Sequence, residues 1–168
     1  MVVPTYAGII IDILVVLILV FSFLGGLKKG AVKGMLDLLA FVIALSFTGA
    51  FIFYVLGWMS FAPDYLWRAL LSFVITMCVI SIIMHLVLLL PRHMLDNIWN
   101  GGFVWNALGG IFALINSALG MVLMVILLDM YPVLPWLNNL LDASNVLNWL
   151  VSSFGSVILT LMHMTGKY

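Results

Sequence analysis

Charge is what this sequence has least of. Acidic and basic residues make up 7% of its 168 residues, against about 25% in a soluble domain. Too few polar side chains remain to cover a water-exposed surface, so a soluble globular fold is excluded. The six basic and six acidic residues cancel. No basic cluster is long enough to follow a phosphate backbone, which leaves no role for nucleic acid. The single cysteine, Cys78, permits no intrachain disulfide. No Ser/His/Asp set, glycine-rich phosphate loop, Cys/His metal cluster or paired-carboxylate motif occurs. Ser152, Ser153 and His163 share a segment, but nothing there activates a serine. His85 is a possible haem ligand, yet His93 falls in a loop and His163 near the opposite surface, so no second axial ligand is evident. The expectation is a protein that is not an enzyme and carries neither metal nor cofactor.

What the chain has in place of charge is long apolar sequence. It is 66% hydrophobic with a mean hydropathy of +1.33. Crossing the hydrocarbon core of a bilayer takes about 20 apolar residues of helix, and four runs approach or reach that length. The pattern predicts an all-α integral membrane protein, one membrane domain over residues 1–168, with transmembrane helices at about 6–25, 32–58, 66–90 and 103–130. No basic segment precedes the first run and no small-x-small site follows it. It therefore reads as a retained helix, not a signal peptide. Pro63 and Asp64 mark a turn, Pro91 stops the third helix, and Pro132 with Pro135 ends the fourth.

Basic residues in short loops favour the cytoplasmic side. Lys28, Lys29, Lys33 and Arg92 then lie inside, Arg68 and Lys167 outside, and the N-terminus outside. Trp58, Trp67 and Trp136 fall at one interface, Trp99 and Trp105 at the other. The last segment, about 144–164, differs. Leu147, Leu150, Val151, Phe154, Val157, Ile158 and Leu161 share one helical face, with Asn148, Ser152, Ser153, Ser156 and Thr160 opposite. It reads as an amphipathic or re-entrant helix at the outer interface or tucked into the bundle. A fifth span, with the C-terminus inside, is the rival reading.

Several residues stand out within the spans. Asp12 is a carboxylate in the first helix, and such groups are costly in lipid unless they face a partner. Arg68, at the outer start of the third helix, is the expected partner. The alternatives are a structural pair and a proton- or ion-coupling site. Asp37 follows Lys33 by four residues, which predicts a local pair. Gly26, Gly30 and Gly34 recur at small-xxx-small spacing, as do Gly109, Ala113 and Ser117 on the fourth helix. That spacing lets helix backbones approach closely in a membrane. Packing within the chain is the ordinary reading, and a docking face for another protein the sharper one. Asn116 falls near mid-membrane, where its amide is expected to hydrogen-bond across helices. Met121 and Met124 form a lone Met-x-x-Met pair, better read as core filling.

Some of these positions form a pattern. Asp12 stands in the first helix and Lys29-Gly30 leads into the second. Asn106-Ala107-Leu108-Gly109 opens the fourth, which runs through small residues to Asp129, and Ser144 to Leu147 opens the last. The chain thus resembles the colicin V production protein (CvpA) family of small bacterial inner-membrane proteins, from about Gly8 to Met162. The resemblance implies a four-helix membrane protein without known catalysis, associated with colicin export, envelope homeostasis and stress tolerance. In some relatives the same bundle anchors an extracytoplasmic serine protease. The family often has an arginine where this chain has Asn116, so that arginine's role does not carry over.

Three functions fit. The first is a non-catalytic scaffold, adaptor or export accessory in the inner membrane, acting through contacts with membrane proteins or with copies of itself. The second is a small accessory subunit of a larger respiratory, photosynthetic or secretion complex. The third is an oligomeric minimal channel or transporter. It would draw on Asp12, Asn116, Ser46, Thr48, Ser72, Thr76, Ser81 and Ser117, though no inverted repeat supports it.

Overall fold

A computed structural model of the chain describes residues 5–59, 64–88 and 102–163. Pro63, Pro91, Arg92, His93, Trp99 and Lys167, used above, lie outside the described residues. Among the described residues five helices follow in order: α1 (Thr5–Trp58), α2 (Tyr65–Val87), α3 (Phe103–Met130), α4 (Pro135–Asp142) and α5 (Asn145–His163). No strand occurs among the described residues. This is an all-α membrane protein, and α1, α2, α3 and α5 are each long and apolar enough to cross a bilayer.

The first two predicted spans are one helix of 54 residues, broken only at Gly30. Unbroken, it would be about 80 Å long, far more than the roughly 30 Å of a hydrocarbon core. Gly30 adopts φ 78° and ψ 167°, a conformation that side chains with a Cβ rarely reach. One residue therefore does what the sequence had assigned to a six-residue connection, and Lys28 and Lys29 stay helical. The break divides α1 into a first arm (5–29) and a second (31–58).

The central helix is α3. Leu119, Val122, Leu123 and Ile126 are buried on it, and α1 lies against it more extensively than any other pair of helices. Both arms of α1 enter the same core, Val15 from the first, Leu45 and Ile52 from the second. Gly26 abuts Gly109 and Ala113 at one end of the first arm, while Gly8 abuts Ala143, beyond the end of α3, at the other. The first arm is therefore antiparallel to α3. On α2 the buried side chains are Ala69, Ser72, Phe73, Thr76 and Ile80, one stripe at helical spacing. On the second arm they include Ala44, Leu45, Thr48 and Ile52. Both stripes are rich in small residues, which suits packing in lipid, where burial of apolar surface drives little. Two hydroxyls within them are satisfied locally: Thr48 donates to the Ala44 carbonyl at 2.7 Å and Thr76 to that of Ser72 at 2.6 Å, while the buried Ser72 hydroxyl has no partner among the described residues.

The other face of the first arm, including Ile10, Leu14, Leu17 and Phe21, is exposed. A helix apolar all round fits lipid there.

The segment after α3 holds an element missing from the sequence reading. Pro132 and Pro135 do end α3, but Pro135 is also the first residue of α4. Proline suits that position because its missing N–H has no helical partner to lose. On α5, Leu147, Leu150, Ile158 and Met162 are buried against α1 and α3. Val157, assigned above to the apolar face, is 47% exposed. The exposed hydroxyls of Ser152 and Thr160 donate to their own helix, at 2.8 Å to Trp149 and 2.7 Å to Ser156. Such back-bonding lets a polar face meet an apolar surrounding. Gly155 lies beside Ile126, close to the end of α3. The first half of α5 thus stays at the end of the bundle away from Gly30.

Candidate functional sites at the two ends of the first arm

At one end, three glycines seat the kink on α3. A Cβ at Gly109 would come within 2.5 Å of the Gly30 carbonyl carbon and 2.6 Å of the Gly26 oxygen. One at Gly26 would stand 2.5 Å from the Ala113 Cβ, and one at Gly34 3.1 Å from the Gly109 oxygen. At Gly110 it would strike the Phe23 ring at 2.7 Å. Backbone meets backbone here, so any side chain separates the helices. The structure thus brings Gly26, Gly30, Gly34, Gly109 and Ala113 into one contact within the chain.

Beside this seat is a recess of about 360 Å³. Ser22, Lys29, Asp37, Asn116 and Ser117 supply its polar lining, and Gly25, Gly26, Gly34 and Ala113 the rest. Asp37 is seven residues past Gly30, Ser22 eight before it, and Asn116 seven past Gly109. At 1.5 Å per residue, three helical segments put a polar side chain about 10–12 Å from the kink. Lys29 reaches back across the break, its Nζ 3.2 Å from the Asp37 carboxylate. The sequence had suggested Lys33 for that pair. The turn at Gly30 brings the more distant lysine into reach. Asn116 also departs from expectation. Its buried Oδ1 accepts no hydrogen bond among the described residues. The glycines and alanine facing it across the recess carry no side-chain donor.

At the other end, Asp12 meets the start of α5. Its Oδ1 accepts from the Ser144 hydroxyl at 2.5 Å and the Val146 N–H at 3.0 Å. The Ser144 oxygen in turn accepts from the Leu147 N–H at 3.1 Å. Ser144 is the N-cap of α5. Asp12 caps the same turn from 132 residues away, satisfying N–H groups a helix start leaves open and placing negative charge at its positive end. The partner is therefore the α5 terminus, not Arg68. Arg68 lies in the first turn of α2, where its N–H donates to the Asp64 carbonyl at 3.0 Å. Gly8, four residues before Asp12 on the same face, lets the Ala143 carbonyl approach.

Gly8 and Ser144 were missed as members of this site, though Ser144 ahead of an apolar helical run carries an N-cap signal. Asp129, the one carboxylate within α3, is exposed near its end.

An intramembrane aspartate bonded to the last helix, a Lys29-Gly30 break and a glycine-led α3 are the positions of the resemblance drawn above. The family model described as colicin V production protein matches residues 11–155. The chain belongs to the colicin V production protein family. The match takes in Gly26, Gly30, Gly34 and Gly109 of the seat, the recess, Asp12 and the first half of α5. No curated protein and no solved structure matches the chain. Family membership supports a role like that of other colicin V production proteins, in a membrane.

Proposed function

We propose that this family member is a non-catalytic scaffold, adaptor or export accessory of the bacterial inner membrane. The observation that carries this reading is how Asp12 is used. The one carboxylate of the first arm is bonded to two donors at the start of α5. A carboxylate so engaged holds the bundle together and is poorly placed to pass ions along a path. The family match over residues 11–155 supports the same reading. The lysines near Gly30 face the cytoplasm and the N-terminus the outside, as loop charge suggests. On this reading α5 is a tucked or re-entrant helix at the outer end.

The test is extraction of the full chain from its native membrane in mild detergent, followed by size separation and identification of bound proteins. A stoichiometric membrane-protein partner is expected. A lone chain with flux activity in liposomes, abolished by Asp12→Asn, would overturn the reading.

A further inference from the structure

The recess beside Gly30 holds chemistry that neither the packing nor the proposed role uses. It is a polar cavity in a membrane protein, and such places are functional by default because lipid penalises them. Its volume of about 360 Å³ falls within the range of ligand pockets, about 300–1,000 Å³. It is open on one side, where Gly25 is exposed with nothing near the position of its Cβ. Lys29, at its mouth, is 58% exposed.

The first arm is 25 residues long, about 37 Å, which is enough to cross a hydrocarbon core. With its other end at one surface, the kink reaches the headgroup layer of the opposite leaflet, and Lys28, Lys29 and Lys33 mark that level. The recess leads from there about two helical turns inward.

Its donors and acceptors narrow what fits. Lys29 has three N–H bonds, one of them directed to Asp37 at 3.2 Å; the others can meet an anionic oxygen. Across the recess on α3, Asn116 Oδ1 is a buried acceptor without a donor among the described residues, and Ser22 and Ser117 add hydroxyls. A bare cation is disfavoured, since the Lys29 ammonium already supplies the positive charge at Asp37. A molecule with an anionic group at the mouth and a hydrogen-bond donor beyond it completes both ends.

We propose that the recess binds a phosphodiester headgroup ending in a donor, ethanolamine or glycerol, with the phosphate at Lys29 and the terminal amine or hydroxyl at Asn116. Phosphatidylethanolamine and phosphatidylglycerol carry this chemistry; so do their soluble glycerophosphodiesters. Phosphatidylcholine lacks the donor and leaves Asn116 unmatched.

The test uses the purified full chain in detergent, offered equal amounts of phosphatidylethanolamine, phosphatidylglycerol and phosphatidylcholine of identical acyl composition, with bound lipid read by native mass spectrometry. Ethanolamine and glycerol lipids should be retained several-fold over choline lipid. Asn116→Leu should reduce them to the choline level without lowering the melting temperature, because the amide has no partner to lose. Lys29→Gln, at the exposed mouth, should lower retention of all three lipids, because each carries the phosphate, and it tests the site if Asn116→Leu does not fold. A parallel arm offers glycerophosphoethanolamine to delipidated protein. Binding as tight as the lipid's assigns the site to a soluble phosphodiester, and much weaker binding assigns it to the bilayer. Equal retention of the three lipids by the parent chain, undiminished selectivity in folded Asn116→Leu, or undiminished retention in folded Lys29→Gln overturns the proposal.

Discussion

The two ends of the first arm join distant parts of the chain by opposite means. At Gly30 the contact exists because side chains are missing, and the helices touch through their backbones. At Asp12 it exists because one side chain reaches the open N–H groups of another helix. The glycine seat is apolar, has no orientation to satisfy beyond shape, and fails when volume is added. The Asp12 joint is polar and directional, and it fails when an acceptor is removed. In a bilayer both replace the hydrophobic effect, which separates helix faces only weakly there.

The sharpest way to break this comparison is to add volume at the seat. Gly109→Val should be the most damaging substitution, because its Cβ meets backbone atoms of Gly26 and Gly30 that cannot rotate away. Overpacking typically costs about 1–3 kcal/mol and more where backbone must move, so little folded protein should survive size-exclusion in detergent. Gly30→Ala comes next. Its φ of 78° is strained for alanine, at about 1–3 kcal/mol, and the melting temperature should fall while the fold persists. A Gly30→Ala chain as stable as the parent would show that the break is not needed.

At the polar joint, removal is the test. Ser144→Ala deletes the N-cap of α5 and a donor to Asp12, and loss of such a cap costs about 1 kcal/mol. Asp12→Leu should lower folded yield in membranes more than Asp64→Leu does. Asp64 stands before α2 without a side-chain capping bond, so it serves as the control. Equal yields for the two leucine variants would contradict the capping role.

Much of the bundle was readable from the residues, because membrane length and apolar runs constrain helices tightly. The bounds of α3 and the buried face of α5 around Leu147, Leu150 and Ile158 follow from composition and period alone. The single break at Gly30 did not, since three lysines and three further glycines nearby imitate a loop. The pairing of Asp12 was also beyond reach. Charge suggested Arg68, whereas the unmet N–H groups of a helix start 132 residues away are invisible until the helix is placed. Likewise Lys29 meets Asp37 from eight residues away, a pair that spacing rules for a continuous helix do not offer, because Gly30 bends the chain between them.

The smallest effect gives the finest contrast, within two adjacent residues. Gly25 and Gly26 both lie in helix, but a Cβ at Gly25 meets nothing within 4 Å while one at Gly26 meets Ala113 at 2.5 Å. Glycine in a helix interior is less favourable than alanine by about 0.5–1 kcal/mol. Gly25→Ala should therefore leave the melting temperature unchanged or raise it by a degree or two. Gly26→Ala should lower it, since the added methyl must push α3 away. If both substitutions act alike, general helix propensity governs this arm and close approach does not. If they diverge in sign, the seat is specific to the face that carries Gly26, Gly30 and Gly34.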